Sequence, residues 1–176
     1  MSPLHRLPIR RACSLAALFG AVACSPETSR DPVAPTLPAL SAASVALPLN
    51  GTVEAFMTAV YPPGTNSALI HEEGTGTATH LGRFTWVNDL TLDLATFTGT
   101  ARSTLTAANG DVLTTIMATR GIPNGDGTIN TLESATITGG TGRFTGATGG
   151  YNLRRVLIEA TGALSGSFDG TITPEK

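Results

Sequence analysis

The stretch TITGGTGRFTGATGG, Thr136–Gly150, decides between two architectures. Glycines this dense either cradle a phosphate ahead of a helix or let strands bend and turn. A phosphate-binding loop needs a lysine–serine or lysine–threonine pair and a helix beyond it. Neither is present: Gly139–Gly150 contains no lysine, and the continuation YNLRRVLIEA sets Leu153, Arg155, Leu157 and Glu159 against Val156, Ile158 and Ala160. That is the period of two of a strand. Gly139, Gly140, Gly142 and Gly149 are therefore expected to serve the architecture as turns and bulges. Phe144 is expected to pack inward as their anchor, with Arg143 solvated on the turn.

The same alternation extends in both directions. In ALSGSFDGTIT, Ala163–Thr173, Leu164, Gly166, Phe168, Gly170 and Ile172 share one face, and Ser165, Ser167, Asp169, Thr171 and Thr173 share the other. Further strands are expected at Gly51–Tyr61, Ala68–Thr79, Arg83–Leu92, Ala95–Ala107, Val112–Thr119, Thr128–Thr138 and Tyr151–Ala160. Asn109-Gly110 suits a tight hairpin between two of them. No segment carries a helical repeat, and threonine, a strand former, is abundant. The fold class is thus all-β, a single antiparallel β-barrel of about eight strands over residues 51–176. A barrel removes exposed sheet edges, and the in-strand glycines Gly76, Gly82, Gly99, Gly166 and Gly170 suit the sharp coiling that closure needs. Six phenylalanines and one tryptophan make a light core, so an incompletely filled interior is expected.

At Gly139–Gly149 the sequence resembles the GGTGxFxxAxG signature of dirigent proteins and is similar to that of allene oxide cyclases. The matching positions are Gly139, Gly140, Thr141, Gly142, Phe144, Ala147 and Gly149. The order THLGRFT (Thr79–Thr85), AANGD (Ala107–Asp111), GGTGRF also resembles exported bacterial proteins. The resemblance implies an eight-stranded antiparallel barrel of the calycin-like type. As an activity it implies the guided cyclisation or coupling of a reactive intermediate. The signature itself is architectural in these families, so no catalytic residue is carried over.

The N-terminal third reads differently. His5, Arg6, Arg10 and Arg11 precede the apolar run Ala12–Ala23, the pattern of an export signal. The run is well short of the ~20 residues of a membrane span. Cys24, following Ala21-Val22-Ala23, resembles the lipobox cysteine of bacterial lipoproteins, so residues 1–23 are expected to be a cleaved signal and Cys24 the lipidated N-terminus. An ordinary signal peptide is the alternative. With Cys13 removed, Cys24 is the remaining cysteine and no intramolecular disulfide can form. Residues 24–50 are proline-rich and read as a linker. The lipoprotein resemblance implies anchoring to a lipid membrane through acyl chains, with Ser25 favouring the outer membrane facing the periplasm. Loss of the three signal arginines leaves a formal charge of −5 without a basic patch, which argues against nucleic acid as a partner.

Candidate sites are few. Asn124, Asp126, Gly127 and Glu133 partly match a calcium loop, but its first position is Ile122 and no helices flank it; a turn between strands is preferred. His71, Glu72, Glu73 and His80 suggest zinc, yet alternation divides them between two faces, so no metal and no cofactor is expected. Trp86, Phe97, Arg102 and Tyr151 are the expected cavity-lining residues, around a small apolar ligand. An enzyme would need inward ionisable groups, for which Glu54, Arg102, Glu133 and Glu159 are candidates. A slip of one residue in register inverts each of these assignments. Three functions follow: an envelope-anchored barrel that binds an apolar ligand, a dirigent- or cyclase-like enzyme, and a structural envelope protein with a filled barrel.

Overall fold

The computed structural model describes residues 44–175. The expected signal, Cys24 and most of the expected linker lie outside that range. The described chain forms eight strands: β1 (Leu47–Val60), β2 (Ser67–Ala78), β3 (Gly82–Asp93), β4 (Thr98–Ala107), β5 (Val112–Pro123), β6 (Thr128–Gly140), β7 (Thr148–Ile158) and β8 (Ala163–Thr173). Each pairs antiparallel with its neighbours in sequence, and β1 also pairs with β8, so the sheet closes into a barrel. One 3₁₀ turn, Gly142–Phe144, is the helical exception among the described residues.

Alternation sets the interior. Inward positions carry Leu49, Val53, Phe84, Trp86, Leu105, Leu113, Tyr151 and Phe168, while the outer positions are dominated by threonine, serine and charge. β1 begins at Leu47, within the segment read as linker. There Pro48 lies opposite Thr171 of β8, whereas pairing with β2 begins only at Gly51, so β1 has one ladder partner at this point. A residue without an N–H is tolerated where one side of the strand is free. β4 starts at Thr98 and not Ala95, because Asp93 Oδ1 accepts from the Ala95 and Thr96 N–H groups in a turn that ends at Phe97 with φ 55°.

The two ends of the barrel differ. At one end Phe84, Tyr151 and Phe168 stack, with ring centroids 6.3 and 4.9 Å apart, and Leu81, Phe144 and Ala147 from the β2–β3 and β6–β7 connections complete the core. The glycine cluster belongs to this plugged end. Gly139, Gly142 and Gly149 have φ of 123°, 57° and 127°, conformations that side chains rarely adopt. Gly140 has a different reason: a Cβ there would collide with the Val112 carbonyl of β5 and press on Phe144 Cβ at 2.9 Å. Arg143 is more tied than a solvated turn residue, with Nε 3.0 Å from Asp111 Oδ2 and its guanidinium 5.1 Å from the Phe144 ring.

Candidate functional site

Midway along the barrel the inward positions turn polar. Glu72 continues the inward face of Ile70 on β2, and Arg155 lies between Leu153 and Leu157 on β7. Opposite them stand Asn88 on β3, Ser103 on β4, Thr119 on β5, and Thr131 and Glu133 on β6, all buried. Gly166 on β8 makes room for this layer, since a Cβ there would overlap the Arg155 stem.

Arg155 bridges two carboxylates. Its Nη1 donates to Glu72 Oε2 at 2.9 Å and its Nη2 to Glu133 Oε1 at 2.6 Å. Asn88 Nδ2 donates to the same Glu72 oxygen at 2.8 Å, and Ser103 Oγ donates in turn to Asn88 Oδ1. Thr119 Oγ1 donates to Glu133 Oε1 at 3.2 Å. The guanidinium also lies 4.8 Å from the Trp86 ring centroid, a cation–π contact between two buried side chains.

Two carboxylates share one cation, so the cluster holds one carboxylate too many. Burial pushes the Glu133 carboxyl above its ordinary range; Arg155 opposes this and Glu72 adds to it. Oε1 accepts both hydrogen bonds, and Oε2 is buried with no partner among the described residues. Burial disfavours the charged form of Arg155, but the attraction of Glu133 and Glu72 prevails and holds its pKa above the usual value. Beneath this layer, burial raises the Tyr151 phenol to about 12, with a hydrogen bond to Thr115 acting against it.

Above the cluster, towards the end opposite the plug, lies a cavity of about 370 Å³. Its walls are apolar, from Ile70, Leu90, Leu92, Leu157 and Leu164, and its rim includes Tyr61, Leu94, Phe97 and Glu159. Glu72, Thr119, Thr131 and Arg155 form its polar floor. Such a site is concave, mostly apolar and furnished with a few convergent polar groups, the usual anatomy of a small-molecule pocket.

The expected site residues fall in different places. Phe97 is at the rim. Trp86 points inward but lies under Arg155, and Tyr151 points inward among Phe168, Thr115 and Met117 in the plugged half. Arg102 is on the outer face, a correction: β4 turns Ala101, Ser103 and Leu105 inward, and Arg102 takes the opposite phase. Of the candidate acids, Glu133 is inward, Glu159 is exposed at the rim and Glu54 is outside.

The metal-like clusters are dispersed. His71 lies outside between Asp89 (2.6 Å) and Glu73 (3.2 Å), while Glu72 faces in and His80 occupies the β2–β3 turn. In the Asn124–Gly127 turn, Asp126 Oδ1 accepts from Thr128 and Asn124 Oδ1 from Asn130, and Glu133 is committed to Arg155. Glu72 and Arg155, the centre of the cluster, were not among the expected site residues. The available signal was a charge set inside an apolar inward phase, at Ile70-His71-Glu72 and at Leu153-Arg154-Arg155-Val156-Leu157.

No protein-family model matches the chain, and no curated protein matches it. Among solved structures it is similar to the pterocarpan synthase dirigent protein, with a TM-score of 0.55 and 14% identity over 85% of this chain and 100% of that one. The likeness establishes the dirigent-type barrel fold.

Proposed function

We propose that the protein is an exported barrel, lipid-anchored to the cell envelope through Cys24, that binds a small and largely apolar molecule in its open end. The observation that carries the binding reading is the cavity of about 370 Å³, apolar in its walls and floored by a buried, incompletely paired charge cluster. Stability alone gives little reason to bury such a cluster, because a buried ion pair seldom outperforms apolar packing. The open volume also weighs against a purely structural, filled barrel.

Binding is tested with N-phenyl-1-naphthylamine, a neutral probe that fluoresces in apolar surroundings. Saturable enhancement is expected, and Leu157→Trp or Ile70→Phe, which fill the cavity, should abolish it in protein that remains folded. No enhancement, or enhancement indifferent to both variants, refutes the reading. Anchoring rests on the charged start, the apolar run and Cys24. Cys24→Ala should release the protein from the membrane fraction and remove the acyl mass from its mature N-terminus. Several acyl chains give stable attachment where one does not.

A dirigent- or cyclase-like enzyme is the second reading. It is favoured by a carboxyl of raised pKa beside a second carboxylate at the base of an apolar cavity, an arrangement suited to proton transfer. Mass spectrometry of the natural ligand before and after incubation separates the two. A binding module returns it unchanged, and an enzyme does not.

A further inference from the structure

Three buried polar atoms of the cluster have no hydrogen-bond partner among the described residues: Arg155 Nε, Thr131 Oγ1 and Glu133 Oε2. Arg155 and Thr131 line the cavity floor, and Glu133 is the next inward residue below Thr131 on β6. Buried polar atoms normally have partners, so an unpaired set at the floor of a cavity marks where a ligand atom belongs. The type of atom follows from the inventory. An arginine Nε–H can only donate, and a threonine hydroxyl can donate. Thr131 and Arg155 are directly paired across β6 and β7, and both line the cavity floor, so their two donors call for an acceptor.

Charge narrows the choice. The groups facing Glu133 are Arg155 and Tyr151 from β7, Glu72 from β2 and Thr119 from β5. Among the described residues lining the cavity, Arg155 is the one cation, and Glu72 and Glu133 already engage it. Glu159 adds a further acid at the rim. A ligand carboxylate would bring another negative charge into a low-dielectric space with no free cation, which is costly.

We propose that the cavity selects neutral ligands bearing a hydrogen-bond-accepting oxygen, of the carbonyl type, placed against Thr131 Oγ1 and Arg155 Nε, and that it discriminates against carboxylates. This rests on the binding reading above and specifies the chemistry of its ligand. The apolar remainder of the molecule lies against Leu90, Leu92 and Leu157.

The test is displacement of N-phenyl-1-naphthylamine from the full chain by 2-nonanone and by nonanoate, which match in length and differ in charge. At neutral pH, 2-nonanone should displace the probe at concentrations about tenfold lower than nonanoate, a ratio equivalent to ~1.4 kcal/mol. Thr131→Val should weaken 2-nonanone by about fivefold, the loss of one ordinary hydrogen bond. Glu72→Gln, which leaves Arg155 with spare positive charge, should improve nonanoate and narrow the ratio. Equal or better displacement by nonanoate from the wild type overturns the proposal, as does probe binding that neither molecule displaces. Those outcomes leave the cavity reading intact. Failure of the probe itself to bind removes both.

Discussion

Removing the guanidinium of Arg155 should be among the most damaging single changes to the domain. Arg155→Met keeps much of the apolar stem but leaves Glu72 and Glu133, both buried, without a cation. Breaking a buried pair from one side costs about 3–5 kcal/mol, because the stranded charge stays desolvated. Loss of the Trp86 contact acts in the same direction. Against a typical domain stability of roughly 5–15 kcal/mol this is a large fraction. Urea unfolding at pH 7 reads it directly: with a slope of about 2 kcal/mol/M, the midpoint should fall by about 2 M. The deficit should shrink as pH falls, because burial favours the neutral form of the Glu133 carboxyl. Glu133→Gln is the contrasting case. It removes the surplus carboxylate while keeping an acceptor for Arg155 and Thr119, and should change stability by less than about 1 kcal/mol. If Arg155→Met is tolerated within 1 kcal/mol, or if Glu133→Gln is equally damaging, the cluster is not the one-cation, two-carboxyl arrangement described.

The plugged end gives a second set of outcomes. Phe144→Ala should cost about 3–5 kcal/mol, since the ring is 2% exposed, while Arg143→Ala should cost no more than about 1 kcal/mol because its pair with Asp111 is half exposed. Gly140→Val should destabilise strongly through its contact with the Val112 carbonyl, and thermal unfolding of the three variants gives the order. Tyr151 predicts an alkaline limit. With its phenol raised to about 12, the folded state holds a proton that the unfolded chain releases near 10, so stability is lost as pH rises through that window. The loss should be roughly 2–3 kcal/mol and absent in Tyr151→Phe, as followed by urea midpoints at pH 9 and above.

The barrel was legible in the sequence because its determinants are local. A period of two at Ala163–Thr173 and glycines at Gly139–Gly149 constrain the backbone whatever the rest of the chain does. The start of β1 was not legible, because Pro48 reads as linker until its single-sided pairing with β8 is known. The site was harder. Arg155 and Glu72 are 83 residues apart, and only barrel closure brings their strands to opposite walls of one cavity. Each still carried a local mark, a charge in the phase of buried leucines and isoleucines. Arg102 illustrates the converse: Leu105 fixes the inward phase of β4, and Arg102 falls three residues away, on the outer face.

That the open end of the barrel is where a ligand enters is tested most directly by amide chemical-shift mapping during titration with 2-nonanone. Shifts are expected at Leu92, Phe97, Gly121, Thr131 and Leu157, which surround the cavity, and at the Trp86 indole through Arg155. Shifts confined to the outer threonine face around Thr52, Thr77 and Thr85, or none on any residue, would contradict it.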